Sequence, residues 1–172
     1  HNLLITSCSL MFLSISIQNL LMLPESNLIK TEIIIRELAL PDEVKLARKS
    51  LIRWLALSLG LMLPNESRKL LLDVLESLVF FHTKNHTPTT KEIITKIEEL
   101  AGKQPYNKAV YYHLLRLKEI GLISRKKGQY SLGDTPGKKL NEIIRDFYVL
   151  KMSHIFKNMD EAAVKLEDSY KL

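Results

Sequence analysis

The chain has a single cysteine, Cys8, among 172 residues. A disulfide within the chain needs two thiols and a thiolate metal site needs more, so both are excluded. The sequence also lacks a glycine-rich phosphate loop, a paired-carboxylate arrangement and a metal-ligand cluster at useful spacing. An enzyme is therefore not expected, and neither is a bound metal or cofactor. Charge is missing altogether from residues 2–23, and 10–23 is largely apolar. Ser, Thr, Asn and Gln interrupt that run more than a spanning helix usually tolerates, and it has neither a basic flank nor a small-residue cleavage site. The first residue is His1 rather than Met. Three readings of the segment stay open. It is upstream sequence ahead of a native start at Met22 (the preferred reading), a buried or dimer-interface helix, or, as the minor one, a membrane or signal segment.

What is present is an ordinary globular composition with an uneven charge. The hydrophobic fraction is 46%, which argues against wholesale disorder. The length allows one domain with its own core and helical extensions. Net charge is +6. Between Lys103 and Lys139 nine Lys/Arg face two acids, a balance of +7, so the remaining sixteen bases and seventeen acids sum to −1. All of the excess sits in one stretch, and a polyanion-binding face is the economical expectation.

That stretch has an internal order. Val110, Leu114 and Leu117 recur at steps of four and three, which puts them on one helix face. Gly121 stands where the helix should stop, in the residue type that takes a left-handed cap without steric cost. Leu122–Arg125 then reads as a strand, Lys127-Gly128 as a tight turn and Gln129–Leu132 as the antiparallel partner. Upstream, Thr89-Thr90-Lys91-Glu92 has capping-box form. It starts a helix carrying Ile93, Ile94, Ile97 and Leu100, with Gly102 as its stop and Pro105 opening the next helix.

The pattern Val110, Leu114, Leu117, Gly121, Leu122, Ile123 resembles the recognition helix and wing of winged helix-turn-helix transcription regulators, of the broad ArsR-like or MarR-like archaeal or bacterial kind. The resemblance covers about residues 65–135. It implies a mainly α protein with a two-stranded β-wing, the helix-turn-helix at about 89–121 and the hairpin at about 122–133. It also implies binding of double-stranded DNA in the cytoplasm. With one cysteine, the thiolate form of metal sensing known among ArsR-like proteins is ruled out.

Four regions are expected: 1–23, uncharged; 24–63, helical; 64–135, the winged domain; and 136–172, a dimerisation helix. Residues 28–40 read as helix, with a strand still open because Ile33, Ile34 and Ile35 are β-branched. Pro41 to Gly60 reads as one helix with Val44, Ala47, Leu51, Trp54 or Leu55, and Ser58 or Leu59 inward. Lys45, Arg48, Lys49 and Arg53 lie opposite, as a solvated face more often than a DNA contact. The next helix opens at Pro64-Asn65-Glu66, carries Leu70, Leu71, Val74, Leu75, Leu78, Val79 and Phe81, and runs to about Thr83. His82 and His86 are four apart but read as a surface pair.

Tyr106, Asn107, Lys108 and Tyr111 are the expected base readers, because the N-terminal part of such a helix reaches base edges. Asn suits adenine and Lys suits guanine acceptors. Tyr112 shares that face, and whether Tyr111 or Tyr112 turns inward against the wing is an even choice. Arg116, Lys118, Arg125, Lys126 and Lys127 are expected on phosphates. His113 reads as a partly buried histidine. After Pro136 a long helical pattern begins, and Leu140, Ile144, Phe147, Leu150 and Ile155 are the expected homodimer stripe. The function expected is a dimeric, sequence-specific DNA-binding regulator. The alternatives are a winged protein–protein module or a sequence-tolerant architectural DNA binder.

Overall fold

The structure, a computed structural model, describes residues 25–135 and 137–171, so the three readings of residues 2–23 fall outside the described residues. The chain divides into two compact units, His1–Arg36 and Glu37–Leu172. Of the first, the described part is a 3-10 turn at Glu25–Leu28 followed by irregular chain. The helix expected over 28–40 does not form. The isoleucine run Ile33–Ile35 loses side-chain freedom in a helix.

The second unit is mainly helical, with one two-stranded antiparallel hairpin. It begins with α1 (Asp42–Lys45) and α2 (Arg48–Ser58). These correct the single helix expected from Pro41 to Gly60. Ala47 is extended at φ −124°, ψ 122°, which resets the helical phase. The residues α2 buries are therefore Ile52 and Ala56 rather than the stripe through Val44 and Ala47. The Trp54 indole N–H donates to the Ala39 carbonyl at 2.7 Å, tying the entry strand of chain to α2.

α3 (Lys69–Thr83) is the hub, packing against α2, α4, α5 and the hairpin. It starts five residues later than Pro64. The Glu66 carboxylate accepts the Leu63 N–H at 2.9 Å and pairs with Arg68 at 2.7 Å, so 63–68 is held as a turn instead. Leu71, Val74, Leu75 and Leu78 are buried as expected, and Asp73, Glu76 and Ser77 are buried with them. The Arg48 guanidinium lies 3.9 Å from Glu76, so part of the basic face of α2 is directed at α3.

α4 (Thr90–Ala101) opens with the expected capping box: the Thr89 hydroxyl accepts the Glu92 N–H, and the Glu92 carboxylate accepts the Thr89 N–H at 2.7 Å. The Thr89 backbone and hydroxyl, then His86, hold the Glu92 carboxyl down at about 2. A depressed folded-state value means stability is present above the ordinary 4.5 and lost as pH falls toward 2. Glu92→Gln should thus lower the thermal midpoint at pH 7, and its gap from the parent should close between pH 4.5 and 2. Thermal melts across that range check it; a gap independent of pH would contradict the charge-assisted cap.

Leu140–Ser169 forms α6, a helix of 30 residues and thus about 45 Å long. Only its first third joins the core. Ile143 is buried, Leu140 and Phe147 pack against the core cluster, and the Tyr148 hydroxyl donates to the Leu59 carbonyl at 2.9 Å. Among the described residues no helix is long and apolar enough to cross a membrane.

Candidate nucleic-acid interface

α5 (Asn107–Glu119) follows α4 after a five-residue turn. Val110, Leu114 and Leu117 are 0%, 1% and 2% exposed, so the inward stripe read from the sequence is the one that forms. It sets the phase of the helix and leaves Asn107, Lys108, Tyr111, Tyr112, Leu115, Arg116 and Lys118 exposed.

The helix stops by a paired hydrogen-bond arrangement at Gly121, whose φ is +84°. The Gly121 N–H donates to Lys118 O at 2.9 Å and the Leu122 N–H to Leu117 O at 3.0 Å. This is the Schellman pattern, with buried Leu117 and Leu122 as its apolar contact. It turns the chain directly into the hairpin.

β1 (Ile123–Lys126) and β2 (Gln129–Leu132) pair in the register Ile123↔Leu132, Ser124↔Ser131, Arg125↔Tyr130, Lys126↔Gln129. The first strand starts and ends one residue later than read from the sequence. Ile123, Tyr130 and Leu132 are buried, whereas Arg125, Lys126 and Lys127 are exposed. Lys127 and Gly128 form the two-residue turn at φ +50° and +84°, the type I′ geometry that strand twist favours. A lysine in this left-handed region costs about 1–2 kcal/mol, and the turn would be better served by Asn. Lys127→Asn should therefore raise unfolding free energy by about 0.5–1 kcal/mol, the gain typical of a conformationally suitable turn residue; chemical denaturation checks the sign.

A third segment supports the hairpin, and the sequence did not reveal it. The Tyr130 N–H donates to Pro88 O at 2.8 Å, Thr89 bridges Gln129, and the Thr87 hydroxyl reaches Gln129 Oε1 at 3.3 Å. Two or three residues of pairing carry too little alternation to be read as a strand. The His86 Nε2–H donates to the Glu92 carboxylate at 2.8 Å; its pairing with a cap carboxylate explains its place better than any partnership with His82. Among the described residues no group of three or more His, Cys, Asp or Glu could hold a metal ion.

Every expected DNA-contact residue is exposed: Tyr106, Asn107, Lys108, Tyr111, Tyr112, Arg116, Lys118, Arg125, Lys126 and Lys127. Neither Tyr111 nor Tyr112 packs inward; they are 51% and 53% exposed, and Tyr130 is the tyrosine that fills the hairpin's inner face. The Arg116 guanidinium donates to the Tyr112 hydroxyl at 3.4 Å, and Arg125 lies 5.3 Å from the Tyr130 ring. Among the described residues, none of Lys108, Arg116, Lys118, Arg125, Lys126 and Lys127 is paired with a carboxylate, and the same holds for Lys49, Lys69, Lys84, Lys91 and Arg145 elsewhere, so what sets this face apart is the concentration of its cations. Burial, then the cations of Arg68 and Arg116, lowers the His113 pKa, so this half-buried ring is neutral at pH 7. Leu115, 53% exposed beside Tyr111, is an apolar member of the same face that carried no role in the sequence reading.

The expected dimer stripe is divided. Leu140 and Phe147 pack on the chain's own core, and Ile144 lines a small apolar cavity with Ile52, Ala56 and Leu75. Leu150 is 63% exposed and Ile155 is half-buried. A stripe chosen by periodicity alone cannot separate the turns that cover the domain from those that project past it. Comparison of the chain with family models, with curated proteins and with solved structures gives no match.

Proposed function

We propose that this chain is a cytoplasmic transcription regulator that binds double-stranded DNA as a winged helix-turn-helix dimer. In this reading α4 and α5 are the helix pair, and β1–β2 is the wing. α5 lies in the major groove, with Tyr106, Asn107, Lys108 and Tyr111 at base edges, and the wing cations rest on phosphates. The observation that carries it is the concentration of exposed cations on α5 and the hairpin tip, within a stretch that holds a balance of +7 in a chain otherwise balanced in charge. Holding like charges without counter-ions is unfavourable unless a polyanion completes them. Asn107 offers the bidentate amide that distinguishes adenine.

The test is affinity for a duplex of mixed sequence as a function of salt. Binding should weaken steeply, with a log–log slope of roughly −4 to −6 if five or six phosphates are contacted. Flat salt dependence would reject the assignment.

One observation favours a second reading. Tyr106, at the N-cap of α5, and Tyr111, Tyr112 and Leu115 on the helix are all more than half exposed, and exposed aromatics are typical anchors of protein–protein interfaces. A protein-binding module of the same fold would keep its partner when Lys126 and Lys127 are neutralised, and would show no duplex affinity to lose.

A further inference from the structure

Beyond Tyr148, α6 and its C-cap residue Tyr170 carry apolar side chains that nothing among the described residues covers. Val149, Phe156, Met159, Leu166 and Tyr170 are 61%, 50%, 58%, 60% and 85% exposed. With half-buried Met152 and exposed Ala163 they fall at 149, 152, 156, 159, 163, 166 and 170. The steps alternate three and four over three heptads, and the other two exposed large apolar residues of this stretch, Leu150 and Val164 at 63% and 57%, each fall one position beside the line. A strict seven-residue repeat is the seam of a helix that supercoils with another helix, and is narrower than the face a helix lays on a globular surface. The 22 residues span about 33 Å.

We propose that this seam pairs in parallel with the same seam of a second copy, Val149, Phe156, Ala163 and Tyr170 occupying a positions and Met152, Met159 and Leu166 occupying d positions. The proposal rests on the dimer reading above and supplies its interface. Flanking charges favour a second copy in this direction. The e positions hold Ser153, Asp160 and Glu167, and the g positions hold Ile155, Ala162 and Ser169. In a parallel pair e meets g of the other helix, so Asp160 and Glu167 lie against uncharged Ile155 and Ala162. An antiparallel pair sets e against e, and its two closest registers bring either Glu167 opposite Asp146 or Asp160 opposite its own copy.

The seam supplies a substantial part of the area a stable pair needs. Aromatic side chains bury about 150–250 Å² each, so Phe156 and Tyr170 at their present exposure offer roughly 200–350 Å² per helix. The aliphatic seam residues extend the strip toward the ~800 Å² per partner of a stable complex. A parallel pair also puts both α5 helices at the same end of the coil, where two adjacent half-sites are within reach.

The test uses the full chain without DNA, so that failure of DNA binding is scored separately. Sedimentation should give a dimer, and Phe156→Asp and Leu166→Asp, made separately, should each weaken self-association at least about tenfold by placing a charge in an apolar seam, with helical content retained. In a Cys8→Ser background, Phe156→Cys and Leu166→Cys should each give a covalent dimer on oxidation, because parallel pairing sets every seam residue beside its own copy. A monomer at about 100 μM, or a dimer indifferent to both Asp variants, overturns the seam. Cross-linking at only one of the two Cys positions, or at neither, overturns the parallel direction.

Discussion

Leu114→Ala should lower the unfolding free energy by about 2–5 kcal/mol, the range for a large aliphatic side chain removed from a packed interior. Leu114 is 1% exposed and belongs to the core cluster with Val74 of α3, Ile93 and Ile97 of α4, and Leu117. Val74, Ile93, Ile97 and Leu117 are branched and themselves buried, which limits collapse onto a cavity there. Leu115→Ala, one residue along and 53% exposed, should stay within about 0.5 kcal/mol. Chemical denaturation of the two variants measures the difference. Equal effects would mean that α5 is rotated about its axis, and the assignment of its outward face would fall with it.

Neutralising the hairpin tip should have the largest effect on binding. Lys126→Gln with Lys127→Gln should weaken duplex affinity for every sequence and flatten the salt slope by about one to two units, close to one for each phosphate no longer neutralised. Both lysines are exposed and free of carboxylates, so no internal pair is broken and folding should survive. Asn107→Ala should behave differently. It should relax preference at one base position, at a cost of about 1–3 kcal/mol on the preferred sequence, and leave the slope nearly unchanged. Affinities measured at four or more salt concentrations separate the two. If both variants altered affinity and slope alike, the division between base readers and backbone contacts would be wrong.

The legible parts of this chain are those where local chemistry and packing agree. The 110/114/117 stripe, the Thr89–Glu92 cap and the Gly121 stop each have one cheap backbone solution, and each forms; the Lys127-Gly128 turn forms too, held by the pairing of the strands on either side. Elsewhere the outcome depended on partners distant in sequence. The break at Ala47 follows from the phase α2 needs to bury Ile52 and Ala56 on α3, and no residue near Ala47 announces it. The late start of α3 depends on the Glu66 carboxylate folding back on Leu63 and Arg68. On α6 the periodicity was plain, but its division between core and exterior depends on where the domain ends in space. At the candidate interface, side-chain direction was legible because the opposite face is apolar. What the face binds was legible only as charge.

Selection from a pool of random duplexes is the decisive experiment for sequence-specific recognition of duplex DNA. The wild-type chain should enrich a palindrome whose half-sites are centred one helical turn apart, about 34–36 Å, with Asn107→Ala losing the preference at one position in each half. Retention of the pool without enrichment, or no retention at any salt concentration, would contradict it.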